Sequence, residues 1–361
     1  MGSKPTIRDV AKRAGVSIAT VSYVLNDSSE EVISEPAKQR VWTAVRALNY
    51  HRAAAAVNLA TKRTRNIGII HYLGQSDVTN PFYSFVIQGV IREAMDRDYN
   101  LLFSYVESRY RGAQDLPKMI REANVAGVIF VGRIYPRMLC DTRDSGVAVV
   151  AIDHSPRIKG VASVQIDNRR GGELAAQHLI DLGHEQFAFV GCVTRVGSIA
   201  ERSEGFVRVL EEHGVTRASH KEVILCDTFT FHEGRKRSLE LFARNKGVTA
   251  IFCANDEVAA GVLRAAREVG LSVPGDVSVV GFDDIIMSNY TDPPLTTIST
   301  GKEQMGRQAT ARLLDLVEGR RTDTHEDLVP VELVVRSSTA APRSKLPTAK
   351  RQRRRASGSP E

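Results

Sequence analysis

The chain has 361 residues with 42% apolar and 25% charged side chains, a globular composition long enough for two or three domains. Its opening, MGSKPTIRDV, lacks the apolar run of a secretory signal, and no stretch approaches the ~20 uninterrupted apolar residues of a membrane span, which predicts a soluble cytoplasmic protein. The formal charge of +7 is uneven: residues 1–66 carry 11 Lys/Arg against 5 Asp/Glu, residues 341–361 carry 7 against 1, and the body between is mildly acidic. Basic ends on an acidic body point to a polyanionic partner at the ends. The four cysteines (Cys140, Cys192, Cys226, Cys253) have no paired spacing, so buried thiols are expected in place of a zinc site or a disulfide framework.

Along the chain, Thr6 and Asp9 form a capping-box pattern that opens a helix through Ala14, and Gly15 ends it. Ser17 is placed to N-cap a second helix running to about Leu25. After the polar loop Asn26–Glu31, Ser34 can cap a third helix with Pro36 in its first turn. In that helix Val41, Val45 and Leu48 recur at near-helical spacing and point inward. Residues 51–66, HRAAAAVNLATKRTRN, join an Ala-rich helix-favouring half to a basic half, too short to hold a helix unless something docks on it.

From Ile67 the pattern changes to short β-rich runs separated by helix-length segments. Four runs (67–72, 100–105, 125–131, 147–152) are followed by four more (186–190, 222–225, 250–253, 277–282). Near-continuous apolar strands joined by helices predict an α/β fold with parallel sheets covered on both faces, here in two similar lobes. Ligands of such folds sit beyond the carboxyl ends of the strands, hence in the cleft between lobes. The expected organisation is a helix-turn-helix head (1–50), a hinge helix and linker (51–66), a two-lobed domain (67–340) and a basic tail (341–361) with too few apolar residues to order itself.

The run Thr6-Ile-Arg-Asp-Val-Ala-Lys-Arg-Ala-Gly-Val-Ser-Ile-Ala-Thr-Val-Ser-Tyr-Val-Leu-Asn closely resembles the DNA-binding head of the LacI/GalR family of bacterial transcription regulators. The resemblance continues through Asn80-Pro-Phe, Asp167-Asn, Arg202-Ser-Glu-Gly-Phe, Ala254-Asn-Asp, Val279-Val-Gly-Phe-Asp-Asp, Pro294-Leu-Thr-Thr-Ile and Glu332-Leu-Val-Val-Arg-Ser-Ser-Thr, and covers residues 5–340. It implies a repressor, a homodimer or tetramer that binds a pseudo-palindromic double-stranded DNA operator. A two-lobed sensor like the periplasmic sugar-binding proteins would receive a small effector, with no cofactor, metal or membrane partner.

On a helix starting at Ser17, Val21 and Val24 face inward while Ile18, Ala19, Ser22 and Tyr23 face out. By position in the family motif, Ile18, Ala19 and Tyr23 are the base-contacting residues. Thr6, Ser17, Thr20, Ser22 and Asn26 complete the DNA-binding set, with Ser17, Thr20 and Ser22 suited to phosphates. The family often places an Arg at Tyr23. Arg reads guanine bidentately, whereas Tyr offers one hydroxyl and a ring for a thymine methyl, so the preference at that base pair is expected not to be guanine. Leu59 matches the leucine that wedges into the central operator step. Beside it, His51-Arg52-Ala53 lacks the usual Pro-Asn, and Asn58 and Ala60 stand where basic residues are frequent.

The family's effector positions fall on Phe82, Tyr83, Asp153, Arg202, Phe229, Asn255 and Asp283, with Phe231 a rival to Phe229 and His154 an added polar candidate. Arg202 donates a fork and Asp283 accepts, a pairing that can hold vicinal hydroxyls. Asp153 and Asn255 add acceptor and donor capacity, and the aromatics can stack on a ring. A sugar or sugar derivative is the expected effector, with a purine or another metabolite as the alternative. An enzyme is disfavoured: there is no nucleophile elbow, no phosphate-cradling loop and no HExxH, and Gly171-Gly172 lacks the further glycines of a nucleotide fingerprint.

Overall fold

Thr6 opens the first helix, α1 (Ile7–Ala14), by a reciprocal cap. Asp9 Oδ2 accepts from the Thr6 amide and hydroxyl, both at 2.8 Å, and the Asp9 amide returns a bond to Thr6 Oγ1 at 3.4 Å. Those bonds hold the Asp9 carboxyl below its usual range. In a computed structural model of the chain, the described residues are 5–26, 32–50, 64–72, 80–106, 109–132, 134–153, 157–192, 197–215, 221–245 and 247–343. Residues 51–63 with Leu59, His154 and the tail beyond Arg343 lie outside them, as do the side chains of Asn26 and Cys192. Of the remaining thiols, Cys226 and Cys253 are buried and Cys140 is half-buried.

The chain divides into two compact units, Met1–Arg65 and Asn66–Glu361. In the first, Gly15 adopts the left-handed conformation (φ 64°) that ends α1 and turns the chain into α2 (Ile18–Asn26). The Ser17 hydroxyl oxygen accepts from the Thr20 amide at 3.0 Å, which starts α2. The third helix, α3 (Glu35–Leu48), departs from expectation at its cap, because the Ser34 side chain makes no capping bond. Pro36 removes one of the two amides such a cap would use, and the Ala37 amide is taken by Ser34's own carbonyl. Val10, Ala11, Ala14, Val21, Val24, Val41 and Ala44 form the buried core, with Val45 and Leu48 packed at its margin. Arg40 Nε ties α3 to the Ala14 carbonyl at the end of α1.

The second unit contains two six-stranded sheets. One comprises β1 (Asn66–Tyr72), β2 (Asn100–Val106), β3 (Gly127–Val131), β4 (Ala148–Ile152), β5 (Ala162–Ile166) and β11 (Glu326–Val329). Its order is β11-β5-β4-β3-β1-β2 and every pairing is parallel. The other comprises β6 (Phe187–Cys192), β7 (Lys221–Cys226), β8 (Ala250–Cys253), β9 (Ser278–Asp283), β10 (Thr296–Ser299) and β12 (Glu332–Val334). It runs β12-β10-β9-β8-β6-β7, with β12 antiparallel on β10.

Sequence pattern finds eight of these strands and misses β5, β10, β11 and β12. The missed strands have three to five residues and interleave Ser, Thr, Gln, Asp or Glu, so they lack the unbroken apolar run that marks the others. The lobes are therefore not successive halves. The chain crosses between them after β5, after β10 and after β11.

Each sheet is covered by helices. Here α4 is Pro81–Asp96, α5 Lys118–Arg121, α6 Pro136–Asp144, α7 Asn168–Asp181, α8 Ser198–Glu212, α9 Phe231–Arg244, α10 Asp256–Glu268 and α11 Lys302–Val317. Paired helices meet through reciprocal glycines. A Cβ on Gly89 of α4 would stand 2.0 Å from the Glu303 carbonyl oxygen of α11, and one on Gly306 would stand 2.0 Å from that of Val86. Gly172 of α7 and Gly205 of α8 repeat the arrangement at 2.0 and 2.1 Å. Helix packing, not phosphate binding, thus accounts for Gly172. Both lobes share the order 2-1-3-4-5, with its switch point between the first and third strands, and there the carboxyl ends of the strands form a crevice.

Candidate DNA-reading helix and effector pocket

Helix α2 carries no acidic residue in its first turn and no basic residue in its last. Its N-terminal turn is open: Ile18 is 46% exposed, Ala19 and Ser17 are exposed, and Val21 and Val24 are buried beneath them. Thr20, Ser22 and Tyr23 are half-buried along its flank. The hydroxyls of Ser17 and Thr20 lie 2.9 Å apart, and the Thr6 hydroxyl already donates to Asp9, so these groups start helices as well as facing solvent. The face bearing Ile18, Ala19 and Tyr23 presents methyls and one phenol, which suits apolar contact and a single hydrogen bond more than bidentate readout.

In the second unit, Asn80 caps α4 by accepting from the Phe82 amide at 2.9 Å, and Pro81 occupies the first turn. That entry directs Tyr83 to Asp153, which follows β4 at φ 56° and accepts from Tyr83 Oη at 2.8 Å. Asp153 Oδ1 is buried with no hydrogen-bond donor. Burial pushes this carboxyl up to about 6, opposed by the Arg202 charge and the Tyr83 bond and reinforced by Asp283. Phe82 is buried in the apolar core and meets the Tyr83 ring edge-on at 5.1 Å, while His71 at the end of β1 does so from the sheet at 5.2 Å. Phe82 therefore supports the site as core and Tyr83 supplies the polar group.

From the other lobe, Arg202 on α8 is 4% exposed. Its Nε donates to Asn168 Oδ1 at 2.9 Å, its Nη1 to the Ala254 carbonyl at 2.6 Å, and its Nη2 lies 3.4 Å from Asp283 Oδ1. The guanidinium lies 3.6 Å over the Phe282 ring. Asp283 Oδ1 has that charge beside it but no hydrogen bond, and burial raises the carboxyl against the pull of Arg202 and Lys302. Asn255 caps α10 through Oδ1, accepting from the Val258 amide at 2.9 Å, and donates Nδ2 to the Phe229 carbonyl at 3.2 Å. Phe229 thus joins the cluster through its backbone with a half-buried ring, whereas Phe231 opens α9 and its carbonyl lies against Gly261 of α10.

Sequence reasoning did not single out Asn168, Phe282, Lys302, Asp256 or His71. Asn168 and Phe282 sit inside motifs that carry the family resemblance, yet nothing in the sequence shows that they grip Arg202. Surface hollows of about 460 Å³ in the first unit (Arg13, Pro36, Gln39, Arg40, Thr43, Ala44) and 360 Å³ in the second (Arg109, Tyr110, Arg111, Tyr135) are lined by none of these residues. The described residues hold no group of three or more His, Cys, Asp or Glu arranged for a metal ion, and no helix long and apolar enough to cross a membrane.

A helix-turn-helix unit joined to a doubly wound two-lobed unit, with a buried Arg–Asp cluster at the strand ends, defines a DNA-binding regulator of the periplasmic-binding-protein-like class. Residues 6–53 match the bacterial regulatory proteins of the lacI family, and residues 176–339 match the periplasmic binding protein-like domain. The chain is 31% identical over 338 residues to the HTH-type transcriptional repressor PurR of Proteus mirabilis (strain HI4320), spanning 93% of this chain and 97% of that one. It resembles the lac repressor dimer bound to operator and the anti-inducer ONPF (TM-score 0.78, 27% identity, 94% and 100% of the two chains). It also resembles the complex of the regulator CelR with cellobiose (TM-score 0.69, 27% identity, 92% and 99%). The chain belongs to the lacI family and is a transcriptional repressor, not an enzyme.

Proposed function

We propose that this repressor acts in the cytoplasm as a homodimer on a pseudo-palindromic operator, and that a sugar or sugar derivative bound between its lobes controls it. One observation carries the effector reading. Asp153 and Asp283 come from different lobes, each keeps a buried carboxylate oxygen without a hydrogen-bond donor, and Arg202 acts on both. Buried acceptors of this kind are costly unless a donor arrives, and neighbouring hydroxyls supply donors to both carboxylates and an acceptor to the guanidinium. A purine is the second reading, favoured by kinship with repressors named PurR. The tests are a thermal-shift screen of sugars and nucleobases, since a ligand of the native state raises apparent stability, followed by operator binding with each hit.

For DNA, Ile18, Ala19 and Tyr23 read bases, Ser17, Thr20 and Ser22 hold phosphates, Thr6 and Asn26 complete the DNA-binding set, and Leu59 enters the minor groove. Exposed apolar side chains on both lobes support the dimer: Ile91, Met95, Phe103 and Tyr105 on one, Ile286, Met287 and Tyr290 on the other. In a gel shift on a family-type palindrome, the full chain binds and a chain beginning at residue 67 does not. Binding by the shortened chain, or by neither, refutes the reading.

A further inference from the structure

We propose that Asp256, whose two carboxylate oxygens are both engaged by protein donors, is the positioning residue of the effector pocket: it fixes the turn that aims Asp283 at Arg202. The proposal rests on the effector reading above for its purpose and on geometry for its mechanism. Asp256 is the first residue of α10, next to Asn255, and is 1% exposed. Its Oδ2 accepts from the Ile285 amide and the Ser288 hydroxyl, both at 2.8 Å, and its Oδ1 accepts from the Thr297 hydroxyl at 2.5 Å. One side chain thus joins the start of α10, the loop after β9 and strand β10. With both oxygens engaged and buried, it offers nothing to a ligand.

The loop it grips needs such a hold. Asp283 and Asp284 both lie at positive φ, 99° and 51°, a conformation that side chains with a Cβ resist. Two successive residues of this kind persist where surrounding bonds over-determine the backbone. Here Lys302 Nζ donates to the carbonyls of both Asp283 and Asp284, the Thr300 hydroxyl donates to the Asp283 carbonyl at 3.3 Å, and Arg336 Nη2 donates to Asp284 Oδ1 at 2.7 Å. Those bonds hold the two residues themselves. Asp256 holds the backbone immediately after them, at Ile285, and so fixes where the turn returns to the sheet. Gly281 completes the fit: a Cβ there would stand 2.2 Å from Asp256 Oδ1, so the strand leaves room for the carboxylate.

The test compares Asp256→Asn with Asp256→Ala in the full ligand-free chain. Asn can keep Oδ1 toward Ile285 and Ser288 and turn its amide toward Thr297, whose hydroxyl then accepts, so D256N should preserve the turn. D256A removes all three acceptor contacts. Hydrogen exchange read by mass spectrometry should accelerate about tenfold or more in peptides spanning 281–290 of D256A, while β6 and β8 stay protected and D256N follows wild type. Crystal structures should show the Arg202–Asp283 pair opened beyond 4 Å in D256A only. Uniform acceleration across the lobe, an unchanged turn in D256A, or equal damage by Asn and Ala overturns the proposal. If D256A does not fold, Ser288→Ala and Thr297→Val remove one donor each, and local acceleration in 281–290 is again required. These readouts use no ligand, so a failed effector screen does not alter what they say about the turn.

Discussion

Replacing Arg202 with Met tests whether the buried cation is what allows Asp283 to stay charged. The substitution keeps bulk over Phe282 but removes the bonds at 2.9 Å to Asn168 and 2.6 Å to Ala254 and the ion pair at 3.4 Å to Asp283. Breaking a buried pair by removing one partner costs about 3–5 kcal/mol, because the other charge is left uncompensated, and hydrogen bonds to a charged group contribute roughly 1.5–3 kcal/mol each. These contributions overlap, and we expect R202M to lose about 4 kcal/mol in all. Removing the orphaned charge as well, in R202M with Asp283→Asn, should bring the loss to about 2 kcal/mol, so that Asp283→Asn recovers about 2 kcal/mol in the R202M background. Urea unfolding at pH 7.5, analysed by midpoint at constant slope, measures the four species of the cycle. Burial already raises Asp283, and without Arg202 it rises further. The R202M deficit should therefore shrink as pH falls and the carboxyl takes up a proton. A coupling near zero, or a deficit that grows toward acid, would refute the claim that Arg202 compensates Asp283.

Asp153 gives a pH prediction of the same kind. Its carboxyl is held at about 6 in the fold against an ordinary 3.8, so its contribution to stability is full below about 3.8 and is lost as pH rises through 6. Asp153→Asn should therefore match wild type near pH 4, exceed it by roughly 1–3 kcal/mol at pH 7.5, and lose effector response; equal stability at both pH values would count against the buried charge. At the head, Tyr23→Arg should move preference at its contacted pair to guanine, which binding-site selection on both proteins reads; strict guanine with wild type defeats the methyl-and-phenol reading. Deleting residues 344–361 removes six Lys/Arg and should flatten the slope of log affinity against log salt by about 0.9 for each phosphate they neutralise. An unchanged slope assigns the tail no role in DNA binding. Gly172→Ala should unfold the sensor or weaken it by about 1–3 kcal/mol or more in denaturant titration, since its Cβ would meet the Arg202 carbonyl oxygen at 2.0 Å.

The sequence by itself determined the parts of this protein whose signals are local. Thr6 and Asp9 three residues apart, Gly15 at a left-handed turn and Ser17 beneath Thr20 announce the two helices of the head, because capping and φ > 0 are decided within a few residues. Long apolar strands such as β3 and β9 were legible for the same reason, and so were the motifs that carry Arg202, Asn255 and Asp283, three of the candidate pocket residues. Short mixed strands such as β11 and β12 were not, because they are held by pairing with partners far away in the chain, as Glu326 is opposite Ser163. Nor could sequence show that Phe82 is core while its neighbour Tyr83 reaches Asp153, or that Asp256 grips the loop that carries Asp283. Those facts depend on three crossings between lobes and on glycines that let helices touch. Only folding brings such groups within hydrogen-bond distance, where burial removes water and makes each charge depend on its partner.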